Sequence, residues 1–335
     1  MKINIISESA FGIVGHGVHT AYLEHVASLK NYPGVEVVTN SRERADIVHL
    51  HTVGTYAFRR LLTSNGKNVV SAHVIPESFV GSLIGAQFWA PYARIYLRWF
   101  YNRADAVVAV SEDTKDHLVA MGVKKPITVI HNTIDTARYA NSPERKKKAR
   151  KTLGIKDDAW VVIGAGQVQP RKRIDSFIEA ALALPEMQFV WVGGMPFGKM
   201  AAEHGAMEQL MALAPPNVTF SGIMPFEKMC EYYRAADVFF LPSAQETFGL
   251  VVVEAAAAGL PVVLRDIPDY VETFKGDVVM ANDKSFVDEL SRLQKDKKHY
   301  SKMQAATNRI AQRYDSKAGA DALMKLYKKL LGNEG

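Results

Sequence analysis

The chain carries two successive series of short apolar runs rich in Val and Ile, each followed by a stretch with helical periodicity. The first series comprises INIIS, VEVVT, DIVHLH, NVVSAH, AVVAV and ITVIH. The second comprises WVVIGAG, QFVWVGG, VTFSG, DVFFLP, PVVLR and DVVMA. Such runs indicate fully buried strands of a parallel sheet that alternate with helices. We therefore predict an α/β protein with two doubly wound, Rossmann-like domains facing a central cleft.

The length of 335 residues and the hydrophobic fraction of 48% suffice for two domains of about 150 residues, each with its own core. A very basic stretch, SPERKKKARKTLGIKDDA, separates the two series and predicts a boundary near 142–157. The predicted domains span residues 1–145 and 155–315. The sequence from Lys284 to about Leu331 predicts one or two long helices, and the segment 316–335 is a candidate for crossing back to the N-terminal domain.

Composition excludes several classes of protein. The single cysteine, Cys230, excludes an intramolecular disulfide and a multi-cysteine metal site, and its amphipathic surroundings predict a buried position on a helix. The N-terminus resembles a strand rather than a signal peptide, and no run of 18 apolar residues is present. We therefore expect a cytoplasmic protein whose membrane contact is peripheral, at the inner face of the cell membrane.

The positive charge is concentrated in the first half of the chain. Residues 1–150 contain 19 Lys+Arg and 12 Asp+Glu, a net +7, whereas the remainder contains 22 and 23, a net −1. Such a bias can attract anionic lipid or another polyanion. No nucleic-acid recognition motif accompanies it, so we do not expect a nucleic-acid partner.

The segment LPSAQETFGLVVVEAAAAGLPVV predicts a strand, a polar loop and a helix that begins near Phe248. The backbone N–H groups of Phe248, Gly249 and Leu250 at a helix N-terminus would suit a phosphate, and Gly249 would allow close approach. Glu246 precedes the helix and Glu254 lies about two turns into it. Because the helix is otherwise almost wholly apolar, the Glu254 carboxylate needs a partner.

Two other loops of the second half follow predicted strands, where ligands of doubly wound sheets usually bind. GAGQVQPRKRIDSFIEA follows a strand and opens a helix at about Lys172, a cation that can neutralise a departing pyrophosphate. VTFSGIMPFEKM places Gly222 and Ile223 directly after another short strand. An ordinary basic loop is the alternative for Lys172 and its neighbouring arginines.

Together these motifs resemble the family-4 retaining glycosyltransferases of the GT-B fold, over nearly the whole chain. The E-x7-E element of that family reads here as Glu246 and Glu254, so the resemblance implies that they contact donor-sugar and ribose hydroxyls. Gly222 and Ile223 would lie at the nucleotide base. The family usually carries Gly-Arg early in the lysine loop, where this chain has Gln167. Arg171 or Arg173 is the candidate replacement.

In the first half, SESAFGIVGHGVHTAYLEH places glycines between the first strand and the first helix, without the G-x-G-x-x-G fingerprint of dinucleotide sites. The resemblance makes Gly15 and Gly17 part of a flexible loop near donor and acceptor. His73 ends a strand at the carboxyl edge of the sheet, and the family often has a donor-sugar contact there. The spacing of His16, His19, His51 and His131 matches no recognised metal motif, and we predict no metal site.

The stretch FWAPYARIYLRWFYNRAD lies in a segment without acidic residues between Glu77 and Asp105. Aromatic and aliphatic side chains recur there at helical spacing with arginines nearby, which suits a bilayer interface with anionic headgroups. The alternative is a core-packed helix with a basic outer face. The residues that we predict to contact membrane or acceptor are Trp89, Tyr92, Arg94, Arg98 and Trp99, within a stripe that also includes Phe88, Ile95, Tyr96 and Phe100.

This helix resembles the corresponding part of bacterial glycosyltransferases that act on diacylglycerol or monoglycosyl-diacylglycerol. The resemblance implies transfer of a hexose from UDP-glucose or UDP-galactose to a membrane glycolipid, with retention of the α configuration and without a cofactor. No Asp-x-Asp motif is present, so metal independence is expected. The alternatives are a family-4 transferase with a soluble or polysaccharide acceptor, and a non-catalytic nucleotide-sugar binding protein.

Overall fold

The structure is a computed structural model that describes residues 1–11, 17–76, 86–195, 203–246, 248–274 and 276–332. These residues divide into two compact units. One contains the described residues up to Asp135 together with the C-terminal segment from Tyr314, and the other contains the described residues of 136–313.

The N-terminal unit is built on a six-stranded parallel sheet in the order β2-β1-β3-β4-β5-β6. Its strands are β1 (Lys2–Ile6), β2 (Glu36–Thr39), β3 (Ile47–Leu50), β4 (Lys67–Ala72), β5 (Ala106–Ala109) and β6 (Ile127–Val129). All six runs predicted to be strands are strands. The prediction of full burial is wrong for β2 and β6, because they form the two edges of the sheet and remain partly exposed.

Alternating side chains of these strands pack on opposite faces of the sheet, as the two-residue period of a strand requires. One face is covered by α2 (Thr55–Thr63), α3 (Ala86–Arg103) and α4 (Glu112–Met121), whose apolar residues share a core with Val48, Leu50 and Val70. The other face is covered by α1 (Gly17–Lys30) and α14 (Ser316–Leu330), which pack with Ile47 and Val69.

The C-terminal unit contains a second six-stranded parallel sheet in the order β12-β11-β10-β7-β8-β9. The strands are β7 (Val161–Ala165), β8 (Gln188–Val192), β9 (Val218–Phe220), β10 (Val238–Leu241), β11 (Val262–Arg265) and β12 (Val279–Ala281). The helices are α5 (Thr136–Tyr139), α6 (Pro143–Leu153), α7 (Ile174–Ala183), α8 (His204–Ala212), α9 (Phe226–Ala235), α10 (Leu250–Ala257), α11 (Pro268–Phe274), α12 (Phe286–Lys295) and α13 (Lys297–Arg313). Cys230 is buried on α9, as predicted.

The basic stretch at 142–157 belongs to the C-terminal unit and is mostly helical, so the division between units falls earlier than the sequence suggested. Ser142 caps α6 by accepting a hydrogen bond from the Arg145 N–H. Arg150 and Lys146 pair with the two carboxylate oxygens of Asp237, at 2.8 and 2.6 Å. These two positive charges therefore hold α6 against the residue that precedes β10.

Three helices, α12, α13 and α14, occupy the C-terminal stretch for which one or two were predicted. Only α14 belongs to the N-terminal unit, where it packs against α1. Its buried residues Leu323 and Tyr327 complete the core on that face of the sheet. The last helix is therefore a structural part of the first domain.

Candidate functional site

The strand order of the C-terminal unit reverses between β7 and β10, where the loops after two adjacent strands diverge. Crevices at such points are the usual ligand sites of doubly wound sheets. Lys172 lies in the loop after β7, in a short 3-10 turn from Pro170 to Lys172, and α7 begins only at Ile174. Glu246 follows β10, and its Oε1 accepts a hydrogen bond from Lys172 Nζ. The structure thus joins two of the predicted catalytic residues, 74 positions apart in the chain.

This ion pair is withdrawn from water, with side-chain exposures of 7% for Lys172 and 8% for Glu246. Burial lowers the pKa of the Lys172 ammonium below its ordinary value, although the Glu246 carboxylate opposes this shift. Burial acts to raise the pKa of Glu246, but the charges of Lys172 and Arg171 outweigh it and hold that pKa below its ordinary value. The Glu246 carboxylate is therefore ionised at neutral pH, with Lys172 and Arg171 as its neighbouring cations.

Arg171 is the second cation at this place. Its guanidinium lies 3.4 Å from Glu246 Oε1 and donates to the backbone oxygen of Gln245. Two successive hydrogen bonds hold the guanidinium in place: Arg171 Nε donates to Gln169, and Gln169 Nε2 donates to Gln167. Arg173 instead pairs with Asp175 and Asp283. Of the two arginines considered as replacements for the family arginine, Arg171 is thus the one beside Glu246.

The loop after β10 leads into α10, which begins at Leu250 rather than near Phe248. Glu254 consequently lies about one turn into the helix, not two. Gly249 is the N-cap residue with a φ of +85°, a conformation that side chains rarely adopt. A Cβ there would also approach the Tyr270 ring at 3.2 Å. The backbone conformation and this packing therefore account for the glycine, and Phe248 is buried beside it.

Glu254 is buried, as the apolar helix around it required, and its Oε2 accepts a hydrogen bond of 2.7 Å from the Tyr233 hydroxyl. Tyr233 is fully buried on α9. Sequence reasoning missed Tyr233, although the need of Glu254 for a partner was evident. Only the tertiary packing of α9 against β10 and α10 reveals which tyrosine of the EYY sequence supplies the hydroxyl.

The loops after β8 and β9 meet beside the loop of Lys172. Gly222 has a φ of +71° and bridges to Gly193, while Ile223 is half-exposed and lies over Gly194. A Cβ on Gly193 would lie only 2.0 Å from the carbonyl oxygen of Gly166. The glycines thus allow close approach of these loops, and the exposed Ile223 offers an apolar surface at their edge.

In the N-terminal unit, His73 lies directly after β4, at the carboxyl edge of the sheet where it was predicted. Its Nε2 lies 3.1 Å from Nδ1 of His51, which follows β3. His51 Nε2 lies in turn 3.2 Å from Nδ1 of His25 on α1. Nearby, His49 bonds to Ser71 and to the Tyr327 hydroxyl. The sequences H-x-H and S-x-H at the ends of adjacent strands put these side chains on one face, a signal that the search for metal spacing overlooked.

Among the described residues, His25, His49 and His51 form a group whose ring nitrogens lie within 4.8 Å of one another. All three are buried and neutral at pH 7, because burial lowers the pKa of His25 to about 4 and those of His49 and His51 well below the usual range. Neutral imidazoles can bind a transition metal. However, these rings already bond to one another or to hydroxyls, so a metal would have to replace existing hydrogen bonds.

The predicted loop glycines divide between described and undescribed residues. Gly15 and His16 lie outside the described residues. Gly17 is the first residue of α1, and a Cβ there would meet no atom of the described residues within 4 Å. The surrounding space therefore gives no reason for a glycine at position 17.

Helix α3 presents the aromatic segment on two different faces. Tyr92, Ile95 and Trp99 point outwards with exposures of 75%, 69% and 44%, and we call these three residues the α3 ridge. Phe100 is buried in the core, and Tyr96 is half-buried and donates a hydrogen bond to the Val53 oxygen. One face of α3 thus belongs to the core, and the opposite face leaves the α3 ridge exposed. Trp89 is half-buried, and the side chain of Phe88 lies outside the described part.

The arginines of α3 lie against the C-terminus of α4. Arg94 donates to the Ala120 oxygen at 2.9 Å, and the Arg98 side chain lies against Gly122. Both side chains remain exposed next to the α3 ridge. Beside the ridge, an open apolar pocket of about 440 Å³ is lined by Val53, Gly54, Thr55, Phe58 and Tyr96. Within the described chain, no helix is both long and apolar enough to cross a bilayer.

Comparison with known proteins identifies the family. Residues 145–309 match the family described as Glycosyl transferases group 1, and residues 16–138 match Glycosyltransferase Family 4. The chain is 33% identical over 287 residues to alpha-galactosylglucosyldiacylglycerol synthase of Streptococcus pneumoniae, covering 83% of this chain and 75% of that protein. The chain belongs to the family-4 glycosyltransferases. This glycosyltransferase is also 28% identical over 271 residues to processive diacylglycerol alpha-glucosyltransferase of Acholeplasma laidlawii, covering 81% and 80% of the two chains.

Solved structures agree on the fold of this glycosyltransferase. HepE of Anabaena in complex with UDP-glucose superposes with a TM-score of 0.78 at 19% identity, over 98% of this chain and all of that one. Sucrose-phosphate synthase of Thermosynechococcus elongatus superposes with a TM-score of 0.82 at 18% identity, over 99% of both chains. The family resemblance and the α/β fold class of GT-B type are therefore confirmed. The roles of individual site residues remain predictions.

Proposed function

We propose that the protein transfers a hexose, glucose or galactose, from a UDP-sugar to a membrane glycolipid built on diacylglycerol, with retention of the α configuration. The observation that carries this proposal is the buried pair of Lys172 and Glu246 with Arg171 beside it, near the N-terminus of α10. Two cations and a carboxylate at the switch point of a doubly wound sheet suit the diphosphate and sugar of such a donor. The names of the two relatives supply the acceptor class.

In the proposed reaction, the diphosphate of the donor lies against Lys172, Arg171 and the first turn of α10. Negative charge develops on the diphosphate as the bond to the sugar breaks, and prearranged cations and helix N–H groups stabilise that charge most when it forms. Lys172 exchanges Glu246 for the phosphate, which releases the Glu246 carboxylate for the sugar hydroxyls. Glu254, oriented by Tyr233, binds the ribose, while Gly222 and Ile223 border the base.

The remaining steps follow the family resemblance. His73 contacts the transferred sugar, Gly15 and Gly17 belong to the adjacent loop, and the leaving phosphate helps to deprotonate the acceptor on the same face. No metal ion is required for this route, because the cations of the protein carry the charge stabilisation.

The N-terminal unit supplies the acceptor side of the proposal. The α3 ridge combines apolar side chains with Arg94 and Arg98, a combination that binds to an interface with anionic headgroups. The open pocket between the start of α2 and Tyr96 has apolar walls and lies beside the ridge. We propose that the ridge binds the inner face of the cell membrane and that the pocket receives part of an acceptor acyl chain.

A second candidate is transfer to a soluble acceptor. D-inositol 3-phosphate glycosyltransferase of Mycobacteroides abscessus is 35% identical over 167 residues, which cover 48% of this chain and 37% of that protein. That similarity leaves half of this chain unmatched, whereas the diacylglycerol enzymes match more than four-fifths of it. The lipid acceptor is therefore the preferred proposal.

The test is transfer of labelled sugar from UDP-glucose and UDP-galactose to three acceptors: diacylglycerol, monoglucosyl-diacylglycerol and inositol 3-phosphate. Each reaction contains anionic lipid micelles and is run with and without EDTA. Product from either lipid, unaffected by EDTA, is the expected result. Product only from the soluble acceptor would overturn the lipid assignment, and binding of the donor without turnover would favour a binding protein.

A further inference from the structure

Three histidines of the N-terminal unit, His25, His51 and His73, are joined in series by hydrogen bonds, and we call them the histidine file. His51 is its middle member, since its Nδ1 lies 3.1 Å from His73 Nε2 and its Nε2 lies 3.2 Å from His25 Nδ1. His25 and His51 are 2% and 1% exposed. Their rings therefore interact with each other rather than with bulk water. Neither a sugar nor a phosphate needs to contact His51 or His25 for these two residues to influence His73.

The file has only two arrangements when all three rings are neutral. A neutral imidazole carries one N–H and one bare nitrogen, and His51 uses both. In the first arrangement, His25 Nδ1–H donates to His51 and His51 Nδ1–H donates to His73. In the second, His73 Nε2–H donates to His51, and His51 Nε2–H donates to His25. The tautomer of His73 is therefore coupled to that of His25, two rings away.

The far end of the file distinguishes these arrangements. His25 Nε2 is buried and has no hydrogen-bond partner among the described residues. In the second arrangement this nitrogen carries a proton, which leaves a buried N–H donor without an acceptor. In the first it is a bare nitrogen. Buried donors without acceptors are rarer in proteins than under-satisfied acceptors, so the first arrangement is favoured.

We propose that His51 and His25 are positioning residues that hold His73 in the tautomer with a proton on Nδ1, so that this nitrogen is a hydrogen-bond donor. The role of His73 at the sugar rests on the proposed function, but the tautomer does not. In this tautomer Nδ1 of His73 carries the N–H, whereas in the opposite tautomer Nδ1 is a bare nitrogen that accepts. Under the proposed function, this donor stabilises a sugar hydroxyl in the transition state, and His73 does not remove a proton from the acceptor.

The direct test is nitrogen NMR of the full-length protein labelled with 15N only at histidine. An unprotonated ring nitrogen resonates well downfield of a protonated one, and a His73→Gln sample assigns the His73 signals. We expect His73 Nε2 at the unprotonated position and Nδ1 at the protonated position, at pH 7.5. The reverse pattern, or fast exchange between the two, would overturn the proposal. Because this measurement requires no turnover, it stands or falls independently of the proposed function.

The kinetic test uses two substitutions of His25 that have nearly the same size. Asn can place an N–H where His25 Nδ1 lies, whereas Leu has the same shape and no donor. We expect His25→Leu to lower kcat by about tenfold, because His51 loses the donor that orients it. His25→Asn should recover most of this loss, and both variants should keep the KM for the UDP-sugar. Equal kcat values for the Asn and Leu variants would contradict the proposal.

Tyr327→Phe is the matched control. It removes a buried hydroxyl from the neighbouring ring of His49, 2.6 Å away, without touching the file. Its kcat and its His73 nitrogen signals should equal those of the wild type, and a change in either would argue that general disturbance of this core explains the His25 effects. Addition of Zn²⁺ to the labelled protein supplies a further control. A change in chemical shift of the His25 and His51 ring nitrogens that saturates at stoichiometric Zn²⁺ would identify a metal site and overturn the proposed file.

Discussion

Lys172 and Glu246 each depend on the other for their charge, because both side chains are nearly inaccessible to water. Lys172→Met leaves the Glu246 carboxylate buried with Arg171 at 3.4 Å as its remaining cation. We expect a loss of about 3 kcal/mol in the free energy of unfolding and a fall in kcat of roughly 10²- to 10³-fold. Urea unfolding and initial rates measure the two effects.

The double variant Lys172→Met with Glu246→Gln separates the two effects. Replacing both members of a buried pair by neutral groups of similar size is often neutral for stability. We therefore expect the free energy of unfolding to recover while kcat stays low. Recovery of activity together with stability would show that the pair has only a structural role.

Tyr233 orients Glu254 through a single hydrogen bond of 2.7 Å. Tyr233→Phe removes this bond without opening a large cavity, and we expect UDP to bind about tenfold more weakly, as judged by calorimetry. Tyr101→Phe is the control, because Tyr101 is equally buried but donates to the Val74 oxygen in the N-terminal unit. The control should lose stability and keep its affinity for UDP. Unchanged affinity in Tyr233→Phe would remove Glu254 from the nucleotide site.

The buried histidines His25, His49 and His51 should make the free energy of unfolding decrease as the pH falls. Burial lowers the pKa of His25 to about 4, whereas the unfolded chain has the ordinary value of 6.5. The unfolded state therefore binds more protons between these values, and stability falls as the pH decreases from about 6.5 to 4. His25 alone contributes about 3 kcal/mol to this loss. His49 and His51 act in the same direction.

Urea midpoints measured from pH 8 to pH 4.5 test this pH dependence. The wild type should lose stability steeply below pH 6.5, and His25→Phe should show a shallower slope. His117→Gln, which changes a half-exposed histidine of α4, should keep the steep slope. Equal slopes in the wild type and His25→Phe would contradict the assignment.

At the scale of single elements, the α3 ridge is the part of the N-terminal unit that we expect to enter a bilayer interface. Ile95→Asp replaces an apolar side chain that is 69% exposed, so folding should be little affected. The lost transfer free energy of one such side chain predicts a decrease of about tenfold or more in binding to anionic vesicles. Sedimentation with vesicles measures it.

The control for the ridge is Leu182→Asp, at a leucine that is 61% exposed on α7 of the C-terminal unit. It makes the same chemical change without altering the ridge and should leave vesicle binding unchanged. If the two variants bound vesicles equally well, the ridge would not be the membrane contact.

The sequence predicts the positions of strands and helices far better than it predicts the burial of each strand or the contacts of individual side chains. Each Val- and Ile-rich run became a strand, because parallel strands buried on both faces need such runs. The sequence did not predict the partial exposure of the edge strands β2, β6 and β9, because the position of a strand in the sheet decides its burial. It also placed the start of α10 near Phe248 rather than at Leu250, because the backbone conformation of Gly249 decides that start. Lys172 and Glu246 were predicted from motifs. Tyr233 and His25 were not, because residues distant in sequence determine what these side chains contact.

At the scale of the whole molecule, the chain returns to its first unit after completing the second. α14 covers the same face of the sheet as α1, and its Leu323, Met324 and Tyr327 are buried with residues of β1 and β3. A segment near the C-terminus thus completes a core whose other members lie in the first half of the chain. We therefore expect the stability of the N-terminal unit to depend on α14.

This arrangement predicts that a change in α14 destabilises distant strands rather than its neighbours in sequence. Leu323→Ala should cost about 3 kcal/mol, because it leaves a cavity at a fully buried position. Hydrogen exchange read by mass spectrometry should show faster exchange in peptides of β1 and β3 and unchanged exchange in β7 and β8. Leu290→Ala on α12, an equally buried position of the C-terminal unit, should give the opposite pattern. Faster exchange of both sheets in both variants would mean that the two units unfold as one, because the loss of either core would then open the whole chain.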